Sequence, residues 1–341
     1  MNVFAVKSKM NTTATTGSKI TNILSENRDM LIIIGIISVV FLIATVIFIA
    51  LRKKRKEKSL LNPCVEIIVY IIFVLYAMSM MIPFVTLILQ SLEDKTIYEI
   101  NLGKQFTFPD KLIFSNYAFA FNEMEYKGVT FFGMILNSCW YTAICVILPV
   151  FMNTLVGYVI SKYKFKARNI FYAVIIFSMT IPTLGTTSAI FKLYSDLNLY
   201  DTGPLLLIIT NLGAGGMNFL VMYAYYKNVP WEYAEAAFVD GAGHLDIFLR
   251  IMIPIACPAM VAIGLISGIG AWNEYMNVLM YMPSTPTLAS GLYGLSLTLP
   301  REGNTPAYYA ALVIALIPIL VIFGIFSDKI MQNFSVGGIK G

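Results

Sequence analysis

Charge is scarce in this chain. Asp, Glu, Lys and Arg together supply 13% of its 341 residues, against roughly 25% in soluble globular proteins. That is about half of what a globule of this length needs to coat itself, so a pair of soluble domains is excluded. Histidine is almost missing: His244 stands alone, which removes a His-based metal cluster and any Ser/His/Asp or Cys/His constellation. His244 reads instead as a polar loop residue. Cysteine is limited to Cys64, Cys139, Cys145 and Cys257, in or beside apolar runs and without a CxxC pair; the reading is small apolar packing residues. No GxxxxGK[ST] occurs, so the chain has no phosphate-cradling loop of that type. These absences point away from an enzyme, and no bound cofactor or metal is expected.

What is present is apolar. Hydrophobic residues make 58% of the chain and the mean hydropathy is +0.74. A bilayer core of about 30 Å takes ~20 helical residues. Seven uncharged runs of that length, rich in Leu, Ile, Val, Phe, Met and Ala, read as spans: 30–51, 67–92, 128–161, 169–191, 202–226, 251–273 and 303–327. The alternating ~10-residue segments of a membrane barrel are absent, so the expected fold is all-α and polytopic, in a plasma membrane.

Basic residues set the expected orientation. The first run ends in Arg52-Lys53-Lys54-Arg55-Lys56-Glu57-Lys58, and Lys and Arg concentrate on the cytoplasmic side. Alternating from there puts 52–64, 161–169, 226–250 and the C-terminal tail inside. These segments hold 14 of the 24 Lys and Arg, although they are the shorter share of the connecting sequence. The N-terminus is then outside and the C-terminus inside, with residues 1–29 a flexible polar extracellular tail and 52–64 a basic cytoplasmic linker. Run 30–51 is longer than a signal-peptide core, and its basic cluster follows it, so it reads as a retained helix. The net charge of +5 is explained by these flanks, and no nucleic-acid partner is expected.

Loop 226–250 departs from that rule. Between Lys227 and Arg250 it carries no Lys or Arg but four acids, Glu232, Glu235, Asp240 and Asp246. Pro230 suits a first helical position, Trp231, Ala234 and Phe238 share a helical stripe, and Asp240-Gly241 ends the helix where a positive φ is needed. A short amphipathic helix outside the bilayer, small and acidic on one face, is suited to docking on a partner; an interfacial helix packed under the bundle is the alternative.

The same loop carries Glu235-Ala236-Ala237, three residues, Gly241, nine residues, then Ile251-Met252-Ile253-Pro254. This resembles the EAA signature of binding-protein-dependent ABC importer permeases, and Asp240, Ala242 and Phe248 extend the match toward the carbohydrate branch. Fainter marks agree from about residue 65 onward: Phe114-Ser115-Asn116-Tyr117, Asn137-Ser138, Lys162-Tyr163-Lys164-Phe165 and Trp272-Asn273-Glu274-Tyr275. The ending Gly337-Gly338-Ile339-Lys340-Gly341 is similar to that of the smaller maltose-type subunit.

The resemblance implies a six-helix type I importer core over 65–341, with helix 30–51 additional to it. It implies a sugar or oligosaccharide permease subunit paired with a second homologous permease. Two ATPase subunits, holding ATP and Mg, would lie beneath, and an extracellular solute-binding protein would deliver the sugar. The coupling residues it implies are Glu235, Ala236, Ala237, Asp240, Gly241 and Pro254, with Glu235 facing a basic residue of the ATPase and both alanines admitting partner backbone. Gly337, Gly338 and Lys340 become candidate ATPase contacts in the tail. Candidates for the translocation path are Asn137, Trp140, Tyr141, Asn273 and Glu274, with aromatic-belt anchoring as their other reading. Glu274 lies 24 residues after Arg250, far enough along a helix to reach the outer face. Gly264 and Gly268 read as a close helix crossing. A secondary transporter, or a permease for a non-sugar solute, stays open beside this reading.

Overall fold

The computed structural model describes residues 63–100, 108–109, 111–181, 185–302 and 304–336, with isolated positions at 32, 35, 38 and 39. Run 30–51, apart from those positions, and the tail residues Gly337, Gly338 and Lys340 lie outside the described residues.

The chain runs α1 (Pro63–Ser91), α2 (Lys95–Ile100), α3 (Ser115–Glu123), β1 (Glu125–Tyr126) and β2 (Val129–Thr130), then α4 (Phe131–Lys162) and α5 (Arg168–Thr180). It continues with α6 (Thr187–Asp196), α7 (Pro204–Asn211), α8 (Gly216–Asn228), α9 (Glu232–Val239) and α10 (His244–Ile247). A π turn (Phe248–Met252) leads into α11 (Ile253–Trp272), followed by α12 (Met276–Tyr281), α13 (Leu288–Glu302) and α14 (Thr305–Val336). The only strands among the described residues form a two-stranded antiparallel hairpin pairing Glu125 with Thr130. Two compact units result, one of Met1–Ala120 with Leu299–Val313 and one of Phe121–Thr298 with Ile314–Gly341.

Among the described residues, four helices are long and apolar enough to cross a bilayer unbroken: Ile68–Ser91, Phe131–Lys162, His244–Trp272 and Thr305–Phe326. Two expected spans are corrected. Run 202–226 is not one straight helix but the pair α7 and α8, bent by 48°. Run 169–191 yields only α5, 13 residues long, before the chain breaks and restarts as α6. Helix α5 ends where Ile181 turns extended directly before Pro182 in the sequence, and Gly185 and Gly216 sit at φ +80 and +68, a region glycine enters without steric cost. The bend is secured by Asn153, buried on α4, whose Oδ1 accepts from Gly215 N at 2.8 Å while its Nδ2 donates to Pro149 O at 2.7 Å. Backbone freed at membrane depth requires such a partner.

In the first unit, α1 exposes Ile68, Ile72, Phe73 and Leu75, a surface that only lipid or another apolar helix would cover. Its end is clamped by buried Asn116, which donates to Ser91 O and Glu93 O, both at 2.9 Å; Ser91 Oγ and Tyr117 OH lie 2.8 Å apart. The Asn116-Tyr117 mark of the sequence is therefore a structural clamp. Beyond it, Thr96 donates to Asp94 and holds that carboxyl below its ordinary value.

The second unit is built on α4. Gly157 lets α4 and α8 cross closely, since a Cβ there would lie 3.1 Å from Met222 Cβ and from Tyr223 N of α8. Gly264 and Gly268 also face α4, but a Cβ would meet Val146 at an ordinary 3.6 Å. The GxxxG does mark a helix crossing, yet of these three glycines it is Gly157 whose Cβ would meet backbone at less than an ordinary contact distance. Asn218 Nδ2 donates to Ser267 Oγ at 3.1 Å and so joins α8 to α11. The cysteines are corrected in part: Cys139 and Cys257 are exposed rather than packed, and Cys145 is half-buried.

Candidate functional site

Residues 229–254 form one continuous seat. Helix α9 begins at Glu232, with Trp231 as its cap and Pro230 outside it, two positions later than Pro230 suggests. Glu232 and Glu235 occupy its first turn, where carboxylates complement the unpaired N–H groups of a helix start. The stripe is as expected: Ala234 is fully buried, and Trp231 and Phe238 pack against the same core. The alanine pair divides, however. Ala236 is exposed with Glu235, while Ala237 faces inward beside Ala234, because positions three apart share a helix face. Close approach of a partner is open to Ala236 and closed to Ala237.

The helix stops in a Schellman turn. Gly241 N donates to Phe238 O at 3.0 Å and Ala242 N to Ala237 O at 2.9 Å, with Gly241 at φ +84 and Asp240 exposed at the cap. Two orphan carbonyls are satisfied in this way. The loop returns through α10 to the π turn. There Ile253 N reaches back to Phe248 O, and Pro254, which has no N–H to give, enters α11 at its first turn. A π turn beside a proline absorbs the missing donor.

An aromatic cluster fastens this seat to the spans. Tyr158 of α4 stacks on Phe248 at 5.3 Å and meets Tyr226 edge-on at 5.4 Å. Tyr163 OH bonds His244 Nδ1 at 2.9 Å, and its ring lies edge-on to Trp231 at 5.8 Å. Tyr225 OH donates to Ile255 O at 2.7 Å and Tyr226 OH to Met252 O at 3.2 Å. Lys162 Nζ donates to Val229 O. The Asp246–Arg250 pair is exposed at 3.4 Å and contributes little. Sequence reading missed Tyr158, Tyr225 and Tyr226; the available signal was hydroxyl-bearing aromatics at the ends of apolar runs.

The path candidates separate. Asn137 Nδ2 donates to Pro286 O at 2.9 Å and its Oδ1 accepts from Trp140 Nε1 at 3.0 Å; neighbouring Ser138 Oγ accepts from Leu288 N at 2.7 Å. Asn137 and Trp140 therefore brace the 286–288 segment. Asn273 is exposed and turned back onto Ile269 O, and Trp272 donates to Ala315 O of α14. Tyr141 and Glu274, by contrast, line one cavity of about 350 Å³ together with Cys145, Asn211 and Asn277. Asn211 had no signal beyond being an amide in an apolar run.

Comparison with known proteins agrees with this architecture. The chain is 28% identical over 290 residues to the arabinooligosaccharides transport system permease protein AraQ of Halalkalibacterium halodurans, covering 84% of this chain and all of that one. It is 25% identical over 268 residues to the diacetylchitobiose uptake system permease protein NgcG of Streptomyces coelicolor, covering 78% and 86%. It is 30% identical over 213 residues to the maltodextrin transport system permease protein MdxG of Bacillus subtilis, covering 59% and 75%. The crystal structure of a bacterial ABC transporter involved in the import of the acidic polysaccharide alginate shares the fold, with a TM-score of 0.66 and 21% identity over 80% of this chain and 98% of that one. The family of binding-protein-dependent transport system inner membrane components matches residues 153–335, from the asparagine that secures the bent span through the acidic seat and beyond, and the chain belongs to that family.

Proposed function

We propose that this chain is the permease subunit of an ATP-driven importer for a sugar or oligosaccharide. It forms half of a translocation path with a second homologous permease, and an extracellular binding protein delivers the solute. ATP and Mg belong to two partner ATPase subunits, and no cofactor belongs to this chain. The sugar assignment is supported by the arabinooligosaccharide, diacetylchitobiose and maltodextrin permeases to which the chain is similar.

The observation that carries the reading is the two-faced α9. Ala234 and Ala237 are buried against the bundle while Glu232, Glu235 and Ala236 face outward. A partner that presses on the outer face moves the aromatic cluster of Tyr158, Tyr226 and Phe248, and through it α4, α8 and α11. An ATPase that closes on ATP biases such a seat between two discrete arrangements. Glu235 supplies the charge for a basic residue of the ATPase, and Gly241 and Pro254 set the angle at which the loop returns. The exposed Asp240, with Gly337, Gly338 and Lys340 of the tail, extends the same contact. In this reading the loop and the C-terminus are cytoplasmic, residues 1–29 are an extracellular tail, 30–51 an additional span and 52–64 a basic linker.

The test is Glu235→Lys in the importer reconstituted in proteoliposomes. Charge reversal at a protein contact costs several kcal/mol, so ATPase co-purification and ATP-driven uptake should both fall at least tenfold. Uptake at the unmodified rate removes Glu235 from the contact. Uptake by the chain alone, driven by a proton gradient, replaces the importer reading with a secondary transporter.

A further inference from the structure

The cavity has a chemistry that its position in a membrane protein does not require. Its walls come from five helices and one turn: α4 with Tyr141 and Cys145, α6 with Tyr194, α7 with Asn211, the end of α11, the turn after it with Glu274, and α12 with Asn277. At about 350 Å³ it falls in the range of small-ligand pockets. Its polar groups are already aimed. Asn277 N donates to Glu274 Oε1 at 2.9 Å, which fixes the carboxylate and leaves Oε2 as an acceptor. Asn211 Nδ2 donates to Leu207 O at 2.9 Å, which orients the amide and keeps its Oδ1 as an acceptor. Two oriented acceptors and a flanking tyrosine wall suit the hydroxyls and the apolar face of a sugar ring. Among the described residues lining the cavity, Glu274 carries the only formal charge, and no Lys or Arg offsets it.

We propose that this cavity is a saccharide-ring subsite held by this chain itself, accepting neutral or amino sugars and rejecting uronates. The inference rests on the importer reading and adds to it a charge rule for the substrate. A uronate carboxylate placed beside Glu274 would meet a like charge at short range, with no cation among the lining residues to balance it.

Cys145 makes the test direct. In the assembled importer, with Cys64, Cys139 and Cys257 replaced by Ala, Cys145 is labelled with a cationic reagent (2-aminoethyl methanethiosulfonate) and an anionic one (2-sulfonatoethyl methanethiosulfonate). The cationic-to-anionic rate ratio should fall roughly tenfold in Glu274→Gln, because one unit charge at short range is removed, and should persist in Glu274→Asp. Arabinotriose, maltotriose or diacetylchitobiose should protect Cys145, and digalacturonate should not. A ratio unmoved by Glu274→Gln, protection by digalacturonate, or protection by none of the neutral saccharides overturns the subsite. ATP-driven uptake is scored in parallel. Uptake without protection counts against the subsite alone, and protection without ATP-driven uptake counts against the importer reading alone.

Discussion

Gly241 is the residue at which sequence pattern and backbone geometry meet most directly. Its φ of +84 is open to glycine, tolerable for asparagine and strained for a β-branched side chain. Nothing lies within 4 Å of a Cβ built there, so the penalty is conformational and not steric. Gly241→Val should cost about 1–3 kcal/mol in the thermal unfolding of the purified chain, with reduced ATPase recovery, and Gly241→Asn should recover most of both. Equal stability for the valine variant would show that the turn adapts. Asn153 presents the opposite case, a residue with no motif around it that holds the bend between α7 and α8 through Gly215. Asn153→Leu leaves that half-buried N–H without its side-chain acceptor, at a cost of about 1 kcal/mol. The measurement is thermal stability in detergent, and Asn153→Asp, which retains an acceptor, should lose less.

At the scale of elements, the important contact is α4 against α8, where Gly157 lets backbone approach backbone. A larger residue there must push Met222 and Tyr223 away, and overpacking of this kind costs about 1–3 kcal/mol. Gly157→Leu should lower both stability and uptake, whereas Gly264→Ala, with its Cβ at an ordinary 3.6 Å from Val146, should be close to silent. The reverse order would transfer the critical crossing to the GxxxG. The seat behaves differently, because its aromatics join α4, α8 and the π turn without a single demanding contact. Tyr226→Phe keeps the ring packing and loses a bond to Met252 O worth about 1 kcal/mol. Stability should fall by that amount while ATPase binding persists.

For the whole molecule the open question is which way the spans run. With the basic cluster at 52–58 inside, a cysteine introduced at Ser18 should react with an impermeant reagent on intact cells, and one at Glu57 should not. The opposite labelling would put the acidic seat on the wrong side for an ATPase. The motif-bearing sequence starts after residue 65, so a chain lacking residues 1–51 should retain ATP-driven uptake in the assembled complex. Complete loss of uptake from a normally assembled complex would make the first helix part of the path.

Sequence alone determined the class, four unbroken spans and the short helix that follows Pro230, because each rests on a local signal. Apolar runs longer than a bilayer produced α1, α4, α11 and α14. The spacing of Ala234, Phe238 and Gly241 prescribed a short helix with a glycine stop, and the structure has both. The two broken spans escaped, since runs 169–191 and 202–226 are uncharged along their whole length, and whether Gly185 and Gly216 take a positive φ and Asn153 arrives from another helix depends on packing. The alanine pair and the path candidates escaped for the same reason. Whether Ala237 faces a partner or the core, and whether Asn137 or Asn211 reaches the cavity, depends on which helix lies opposite. That is a property of long-range packing, which only the tertiary structure decided.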